Sequence, residues 1–379
     1  MNIKQGQWAP GSGWQPALSK DAQLQTQLVF VFGSTALLKE KDRINEIKNA
    51  YPNAYIMGCS TSGEITGTRV TDDTVSVTAV HFDHTRIHAS SVTVEKAGEC
   101  LALGEKLGKK IPQEGLVHIF LLSDGLNVNG SDLVKGLTKV LPANVTITGG
   151  LSGDGARFQE TLVFADGVAQ SHAVTAIGLY GDRLKIGYGS LGGWDPFGPE
   201  RLITRSQGNI LYELDGKPAL ELYKKYLGEH AQGLPATGLL FPLSMRVEDS
   251  ATPVVRTILS VDEKNQSMTF AGTMPQGALA RLMKANFDRL IDGASGAAKT
   301  SYAAIGSSSP DLAILISCVG RKLILKQRVE EEVEGVRDIL GERTVLTGFY
   351  SYGEISPFTP GAKCELHNQT MTITTLLET

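Results

Sequence analysis

The feature that most constrains the fold is a short phrase that occurs near both ends of the chain. It reads GCSTSGEI at residues 58–65 and GFYSYGEISP at residues 348–357. In both copies an apolar run leads into glycines, which permit backbone conformations that a Cβ would block, and one carboxylate follows, Glu64 or Glu354. Two unrelated segments rarely share such a pattern. The phrase therefore indicates an internal repeat, in which a strand ends in a tight turn that presents an acid.

The repeated unit is longer than its turn. Upstream of each turn lies an apolar run that ends in Gly or Ser, then a stretch of helical pattern, then a second apolar run. The same order occurs in the middle of the chain, where the turn reads GGLSGD at residues 149–154 and Asp154 replaces glutamate. Strands that alternate with helices indicate β-α-β units. The sequence predicts an α/β fold with two related domains, mixed and partly parallel sheets, and an internal strand–helix–strand repeat.

A cluster of chain breakers, GGWDPFGP at residues 192–199, marks the boundary between the two domains. We place an N-terminal extension at residues 1–20, a first domain at 21–205 and a second domain at 206–379. A chain of 379 residues is long enough to build two such cores.

Composition bears on compartment and partners. The net charge is −4 and the Lys and Arg residues are dispersed, which argues against nucleic-acid binding. No apolar run approaches the ~20 residues that span a bilayer, and the first residues lack the apolar segment of a signal peptide. The four cysteines are far apart, as expected for reduced thiols. We expect a cytoplasmic protein without membrane insertion.

The acids of the turns are candidate ligand-binding residues. Glu64, Asp154 and Glu354 each follow a strand end, and ligands of open α/β sheets bind beyond such ends. Backbone N–H groups and the hydroxyls of Ser62 and Tyr352, which lie in the same turns, would hold the carboxylate of an amino-acid-like ligand, and an acid would hold its amine. The alternative is that each acid caps its own turn.

Signals for catalysis are weak. Asp124, in the phrase SDGLN, follows a strand, but one carboxylate does not make a metal site. Ser60, Ser62 and Ser123 are possible nucleophiles, yet no GxSxG elbow accompanies them. We expect that the protein is not an enzyme, and an enzyme acting at Asp124 or Glu354 stays open as a third class.

The motifs together resemble the FIST family, with its N-terminal and C-terminal domains both present. They are the three turn phrases, LDGKPA at 214–219, SCVGR at 317–321 and LHNQT at 366–370. The resemblance extends from about residue 20 to the end, and it implies a bacterial sensory module for small ligands. One branch, the stand-alone nitric-oxide-sensing proteins, binds haem and regulates a partner histidine kinase. This chain is similar to that branch in having no appended kinase, methyl-accepting or cyclase domain.

The resemblance also implies a haem site. His367 immediately precedes the terminal strand, and a neutral imidazole is the commonest proximal ligand of haem iron. The chain contains no CxxCH, so the cofactor would be non-covalent haem b. Arg321 would pair with a propionate, or alternatively with the acidic helix at 330–334. For His367 the alternative is a hydrogen-bonded histidine at the domain interface.

The leading prediction is therefore a cytoplasmic ligand-sensing signalling protein, a haem-based nitric oxide sensor that regulates a histidine kinase, with His367 on the metal. The alternative is a haem-free sensor of amino acids or other small anionic ligands.

Overall fold

Three mixed sheets with the same strand order surround one apolar core, and a fourth, antiparallel sheet is inserted after the first strand of the third sheet. The computed structural model describes residues 1–18, 25–94, 98–246, 253–358 and 361–379. In each of the three sheets two parallel strands lie side by side, and an antiparallel strand flanks them. The predicted α/β class, with mixed sheets and a strand–helix–strand repeat, is confirmed.

The first unit starts at the N-terminus. Its central strand is a continuous apolar run, as expected for a strand that is buried on both faces. The elements are β1 (Asn2–Ala9), β2 (Gly13–Gln15), β3 (Leu28–Gly33), α1 (Thr35–Leu38), α2 (Lys41–Ala50), β4 (Tyr55–Ser60), β5 (Glu64–Thr66), β6 (Arg69–Thr71) and β7 (Val75–His81).

The second unit repeats this order with one helix added before its central strand. The elements are β8 (Arg86–Thr93), α3 (Cys100–Lys110), β9 (Leu116–Ser123), α4 (Gly130–Val140), β10 (Thr146–Leu151), β11 (Val163–Ala165), β12 (Val168–Gln170) and β13 (Ala173–Tyr180). The side chain of Asn129 caps the N-terminus of α4 by accepting from two backbone N–H groups.

The next strand, β14 (Leu184–Leu191), belongs to the third sheet, and the inserted antiparallel sheet follows it. The inserted elements are β15 (Asp195–Gln207), β16 (Ile210–Leu214), β17 (Lys217–Pro218), α5 (Ala219–Leu227), two 3-10 helices (Gly228–Gly233 and Ala236–Leu240), β18 (Leu243–Arg246), β19 (Val254–Arg256), β20 (Ile258–Asp262), β21 (Ser267–Phe270) and β22 (Leu279–Lys284). This sheet and α5 have an apolar cluster of their own.

The third unit closes the chain. Its elements are α6 (Phe287–Ala304), β23 (Leu312–Cys318), α7 (Val319–Leu325), a 3-10 helix (Lys326–Arg328), α8 (Val329–Leu340), β24 (Val345–Ser351), β25 (Gly353–Pro357), β26 (Cys364–His367) and β27 (Met371–Glu378).

The three units exchange hairpins in a cyclic order. The β5–β6 hairpin of the first unit pairs with β24 of the third, β25–β26 of the third pairs with β10 of the second, and β11–β12 of the second pairs with β4 of the first. Each hairpin thus completes a sheet that belongs to a different unit. The two halves of the chain are interlocked as a result.

The structure bears on two of the predicted segments. The predicted boundary between residues 20 and 21 lies outside the described residues, but residues 1–18 are not simply an extension, because β1 pairs with β7 and occupies the place that β8 and β14 take in the other two sheets. The boundary between residues 205 and 206 falls inside β15, which pairs on both of its sides. The sequence did not reveal β1, because many of its side chains are polar. The predicted domain boundary was misplaced because the cluster of glycines and prolines lies at the start of a long bent strand.

The core common to the three sheets lies where one face of each sheet meets the other two. Aromatic rings of different units contact one another there: Phe30 lies edge-on to Phe120 at 5.4 Å, and Phe32 lies 4.7 Å from Phe349. The opposite faces of the sheets are covered by helices. In the part of the chain that the structure describes, no helix has the length and apolar character needed to cross a membrane.

Candidate functional site

Three glycines hold the repeated turns in place. Gly58, Gly149 and Gly348 lie opposite Val31, Leu121 and Leu315 in the parallel ladders, and a Cβ on each glycine would lie 1.8–1.9 Å from the carbonyl oxygen of that partner. The sequence placed the turns at these glycines. In the structure the glycines are still within β4, β10 and β24, and the chain turns only after them.

Glu64 and Glu354 have equivalent sets of hydrogen bonds. One oxygen of Glu64 accepts from the hydroxyl of Thr61, and the other accepts from the backbone N–H (3.2 Å) and hydroxyl (2.5 Å) of Thr74. Glu354 accepts from Ser351 Oγ (2.6 Å) and from the N–H (3.2 Å) and hydroxyl (3.0 Å) of Thr370. Both carboxyl groups are fully buried. Each acid thus ties its own turn to the last strand of its own unit.

Burial decides the protonation of these two acids. Loss of hydration raises the pKa of Glu64 to about 7 and that of Glu354 to about 8, although the three donors to each group favour the charged form. A carboxyl group with a raised pKa stabilises the folded state fully below the pKa of the unfolded chain. That contribution is lost as the pH rises through the folded-state value.

We therefore expect Glu354→Gln to flatten the pH dependence of stability. Between pH 5.5 and 8 the wild-type free energy of unfolding should fall by about 3 kcal/mol more than that of the variant, because only the wild type must ionise the buried carboxyl group of Glu354, whereas both proteins ionise Glu64. Urea unfolding at both pH values measures the difference, and exposed Glu365, changed to Gln, is the control. Parallel pH profiles of wild type and Glu354→Gln would contradict this account.

The second turn brings other predicted residues together. Tyr352 donates to Asp154, whose oxygens also accept from the backbone N–H groups of Phe158, Gln159 and Glu160 at 2.8–2.9 Å. The hydroxyl of Ser62 bonds to both backbone groups of Gly155. Burial alone would raise the pKa of Asp154, but these hydrogen bonds lower it. Ser62, Asp154 and Tyr352 thus form one junction between the three units, whereas Glu64 and Glu354 each lie in a separate turn.

Asp124 ties its own loop to two later loops of the second unit. Its buried carboxylate accepts from the N–H groups of Leu126, Asn127 and His172 and from the hydroxyl of Thr161, at 2.6–3.0 Å. Ser123 donates to the carbonyl oxygen of Asp124, and the hydroxyl of Ser60 accepts from the backbone N–H of Leu162.

Arg321 forms the ion pair with the acidic helix that the sequence left open. Its guanidinium bonds twice to Glu332, at 2.7 and 3.1 Å, and donates to the carbonyl oxygens of Gly192 and Leu290. Both charged groups are completely buried. Glu332 also accepts from Ser317 and Tyr350. Contrary to the other reading, the donors of Arg321 are not free for a haem propionate.

His367 is a buried histidine of the β25–β26 hairpin. Its Nε2 is 2.8 Å from the carbonyl oxygen of Ser356, its ring lies 5.6 Å from Phe358, and only 2% of the residue is exposed. Burial lowers the pKa of His367 to about 4, with a smaller contribution from Arg256. The imidazole is neutral at physiological pH. As the sequence allowed, it is a hydrogen-bonded histidine between the inserted sheet and the repeated units.

Arg256, at the end of β19, is the arginine beside His367. Its guanidinium is buried and donates to the carbonyl oxygens of Leu366 (2.8 Å), Val255 (3.3 Å) and Thr273 (3.5 Å). Among the described residues no carboxylate lies within ion-pair distance of it. Sequence reasoning missed Arg256, although an arginine in the apolar run VVRTIL was a visible signal.

His367 has one ring nitrogen left for a metal. Its Nε2 bonds to the carbonyl oxygen of Ser356, a contact that is also usual for a metal-bound histidine, and the residue is paired with Glu354 in the ladder between β25 and β26. A small cavity of about 10 Å³ in the common core and a groove of about 360 Å³ beside β14 are both lined by other residues. In the described part of the chain, no group of three or more His, Cys, Asp and Glu side chains is placed to hold a metal ion.

Two uncharacterised proteins are among those similar to this chain. One from Methanocaldococcus jannaschii is 28% identical over 51% of this chain, and one from Mycobacterium tuberculosis is 25% identical over 62%. The chain spans only 40% and 62% of the length of these two relatives.

Solved structures with a similar arrangement include two cyanuric acid hydrolases, one of them from A. caulinodans. They align over 99–100% of this chain with 7–8% identity and TM-scores of 0.39 and 0.36, which support no conclusion about activity. The expectation that the chain is not an enzyme is withdrawn, and neither the presence nor the absence of an activity follows from these matches.

Family profiles match nearly the whole chain. The FIST N domain matches residues 27–217 and the FIST C domain matches residues 219–357. The chain therefore belongs to the FIST family, whose domains are sensor domains associated with signalling.

Proposed function

We propose that this protein senses a small anionic ligand without haem, and that Arg256 binds the anion. The observation that carries the proposal is a buried guanidinium with carbonyl partners and, among the described residues, no carboxylate within ion-pair distance; the charge of Glu365 acts on it only from farther away. It lies where β19 meets the β25–β26 hairpin, between the inserted sheet and the repeated units.

The contrast with Arg321 indicates what Arg256 lacks. Both guanidinium groups are buried, but Arg321 has Glu332 as a partner. Taking an ion out of water costs several kcal/mol unless an opposite charge offsets it. Burial lowers the pKa of Arg256 to about 10, against a smaller raising effect of the Glu365 charge, so the group still carries its charge at neutral pH. A charge held in this way is typical of a site whose counter-ion is a ligand.

We include two threonines that adjoin Arg256 in the proposed site. Thr257 follows Arg256 directly, and the carbonyl of Thr273 accepts from its Nε. The hydroxyl oxygens of both threonines are buried and have no partner among the described residues. Buried hydroxyls are normally hydrogen-bonded. Together with the guanidinium they suit an anion with several oxygens, a carboxylate or a phosphate.

The remaining parts of the proposal come from the family. We propose a cytoplasmic location, which the four buried, unpaired cysteines support, and a histidine kinase as the partner that receives the signal. Ligand binding would reach both halves of the chain, because Arg256 bonds to Leu366 in a hairpin that completes the second sheet.

The test is titration of wild type and Arg256→Met with glutamate, succinate, acetate and phosphate, followed by calorimetry and thermal shift. We expect at least one anion to stabilise the wild type and to lose about tenfold or more in affinity in the variant, as charged hydrogen bonds are removed. Arg205→Met, at an exposed ion pair, is the control. Equal affinity in both proteins, or no saturable binding of any of these anions at millimolar concentration, contradicts the proposal.

The haem-based nitric oxide sensor is tested in the same series. Hemin added to wild type and His367→Ala should produce a Soret band only in the wild type if His367 binds iron. A stoichiometric Soret band that His367→Ala loses would replace the anion proposal with the haem reading.

A further inference from the structure

A groove of about 360 Å³ opens between the second sheet, β14 and the C-terminal end of α6. It is lined by Val117, Thr146, Leu184, Ile186, Tyr188 and Ala304. We propose that this groove is a second ligand site, independent of Arg256, for a small neutral organic molecule that carries one oxygen acceptor, such as an aryl ketone.

The size and lining of the groove favour an uncharged ligand. Its volume lies within the range of small-molecule sites, which are mostly apolar with a few polar groups that fix orientation. None of the six lining side chains is charged. A charged ligand would therefore lose its hydration without gaining a partner.

The wall formed by β14 is held firmly. Leu184, Ile186 and Tyr188 alternate along the strand and share one face. The opposite face packs on α6 so closely that a Cβ at Gly187 would lie 2.0 Å from the carbonyl oxygen of Ser301, and one at Gly189 would lie 2.3 Å from that of Ala297. The groove is thus pre-formed, which reduces the entropy lost on binding.

A chain of hydrogen bonds fixes which group Thr146 offers to a ligand. Thr374 Oγ1 donates to Thr148 Oγ1 at 2.8 Å, so the hydroxyl of Thr148 is left to donate to Nε2 of His118, 2.9 Å away. His118 is completely buried, and burial lowers its pKa to about 3, so the ring is neutral.

The same donor-to-acceptor order extends from His118 to Thr146 in the wall of the groove. A neutral His118 that accepts at Nε2 carries its proton on Nδ1, which lies 2.6 Å from Thr146 Oγ1 and donates to it. The hydroxyl proton of Thr146 then faces away from the ring and is available to the groove. The hydroxyl of Tyr188 also makes no hydrogen bond to another described residue. The polar groups on the wall therefore suit a ligand with an oxygen acceptor.

The probes that test this site differ in one group each. Acetophenone has an aryl ring and a carbonyl acceptor, isopropylbenzene has a similar shape without the acceptor, and benzoate is charged. Saturation-transfer NMR and calorimetry on the full chain should detect binding of acetophenone at millimolar concentration, weaker binding of isopropylbenzene and none of benzoate in the groove.

Variants assign the contacts. Thr146→Val should weaken acetophenone about threefold to tenfold, as expected for one lost hydrogen bond, and leave isopropylbenzene unchanged. Ile186→Trp fills the groove and should abolish both signals, whereas Thr269→Val in the inserted sheet and Arg256→Met should change neither. Should Thr146→Val fail to fold, Ile186→Trp decides. The proposal is overturned if wild type does not bind acetophenone, if Ile186→Trp still binds it, or if folded Thr146→Val binds it with unchanged affinity.

Discussion

Replacing Gly348 by alanine is expected to destabilise the protein by more than about 4 kcal/mol, beyond the usual range for overpacking. The new Cβ would lie 1.8 Å from the carbonyl oxygen of Leu315 and 2.7 Å from its carbonyl carbon. Because both contacts are with the backbone of the neighbouring parallel strand, no side-chain rotation relieves them. The ladder between β23 and β24, at the centre of the third sheet, must separate.

A control variant, Gly341→Ala, separates the effect of the steric contact on stability from the effect of backbone conformation. Gly341 ends α8 with a φ of +84°, and a Cβ there would meet nothing within 4 Å. Gly341→Ala should cost about 1–3 kcal/mol, since it strains the backbone without a clash. Thermal and urea unfolding compare the two variants. Equal stabilities of Gly348→Ala and Gly341→Ala would show that the third sheet tolerates a side chain at this position.

The equivalent glycines extend the same argument to the whole fold. Gly58 and Gly149 meet the carbonyl oxygens of Val31 and Leu121 at the same distance, 1.9 Å. Sequence reasoning found this repeat because its signal is local, a glycine followed within a few residues by an acid. Sequence reasoning also placed each turn too early, because it considered only the residues next to the glycine. A glycine that a turn needs and a glycine that a close strand contact needs are indistinguishable in one sequence.

The exchange of hairpins was beyond such reasoning. β5 is only three residues long, and its partner in β24 is almost the whole chain away. Nothing in the pattern of Glu64–Thr66 says which of three similar sheets it completes, because all three offer the same free edge. Long-range pairing is decided by packing of the three units on their common core, and a single sequence does not record it.

The candidate sites also include some that local sequence patterns reveal and others that form only through long-range contacts. The acids of the turns were visible, and the partners of Glu64 and Glu354 lie within the same repeat. Arg256 and the hydroxyl of Thr273 come together only when the inserted sheet folds. For Arg321 the sequence analysis gave two possible partners, a haem propionate and the acidic helix, and in the structure Arg321 forms a buried ion pair with that helix.

Breaking the ion pair between Arg321 and Glu332 is expected to cost about 3–5 kcal/mol, the usual penalty for leaving one buried charge without its partner. Both groups are completely buried, so solvent does not screen the interaction. In Arg321→Met the carboxylate of Glu332 keeps only the hydroxyl donors of Ser317 and Tyr350. Urea unfolding measures the loss.

The double variant Arg321→Met/Glu332→Leu should recover part of that stability, because two apolar side chains replace two buried charges. A double-mutant cycle then isolates the pair from the carbonyl contacts of Arg321. The same variants test the role that the resemblance implied. If Arg321 bound a haem propionate, Arg321→Met would lose hemin affinity and leave the stability of the apoprotein unchanged. We expect the opposite, a large loss of stability that Glu332→Leu partly reverses, since the guanidinium already has its counter-ion within the chain.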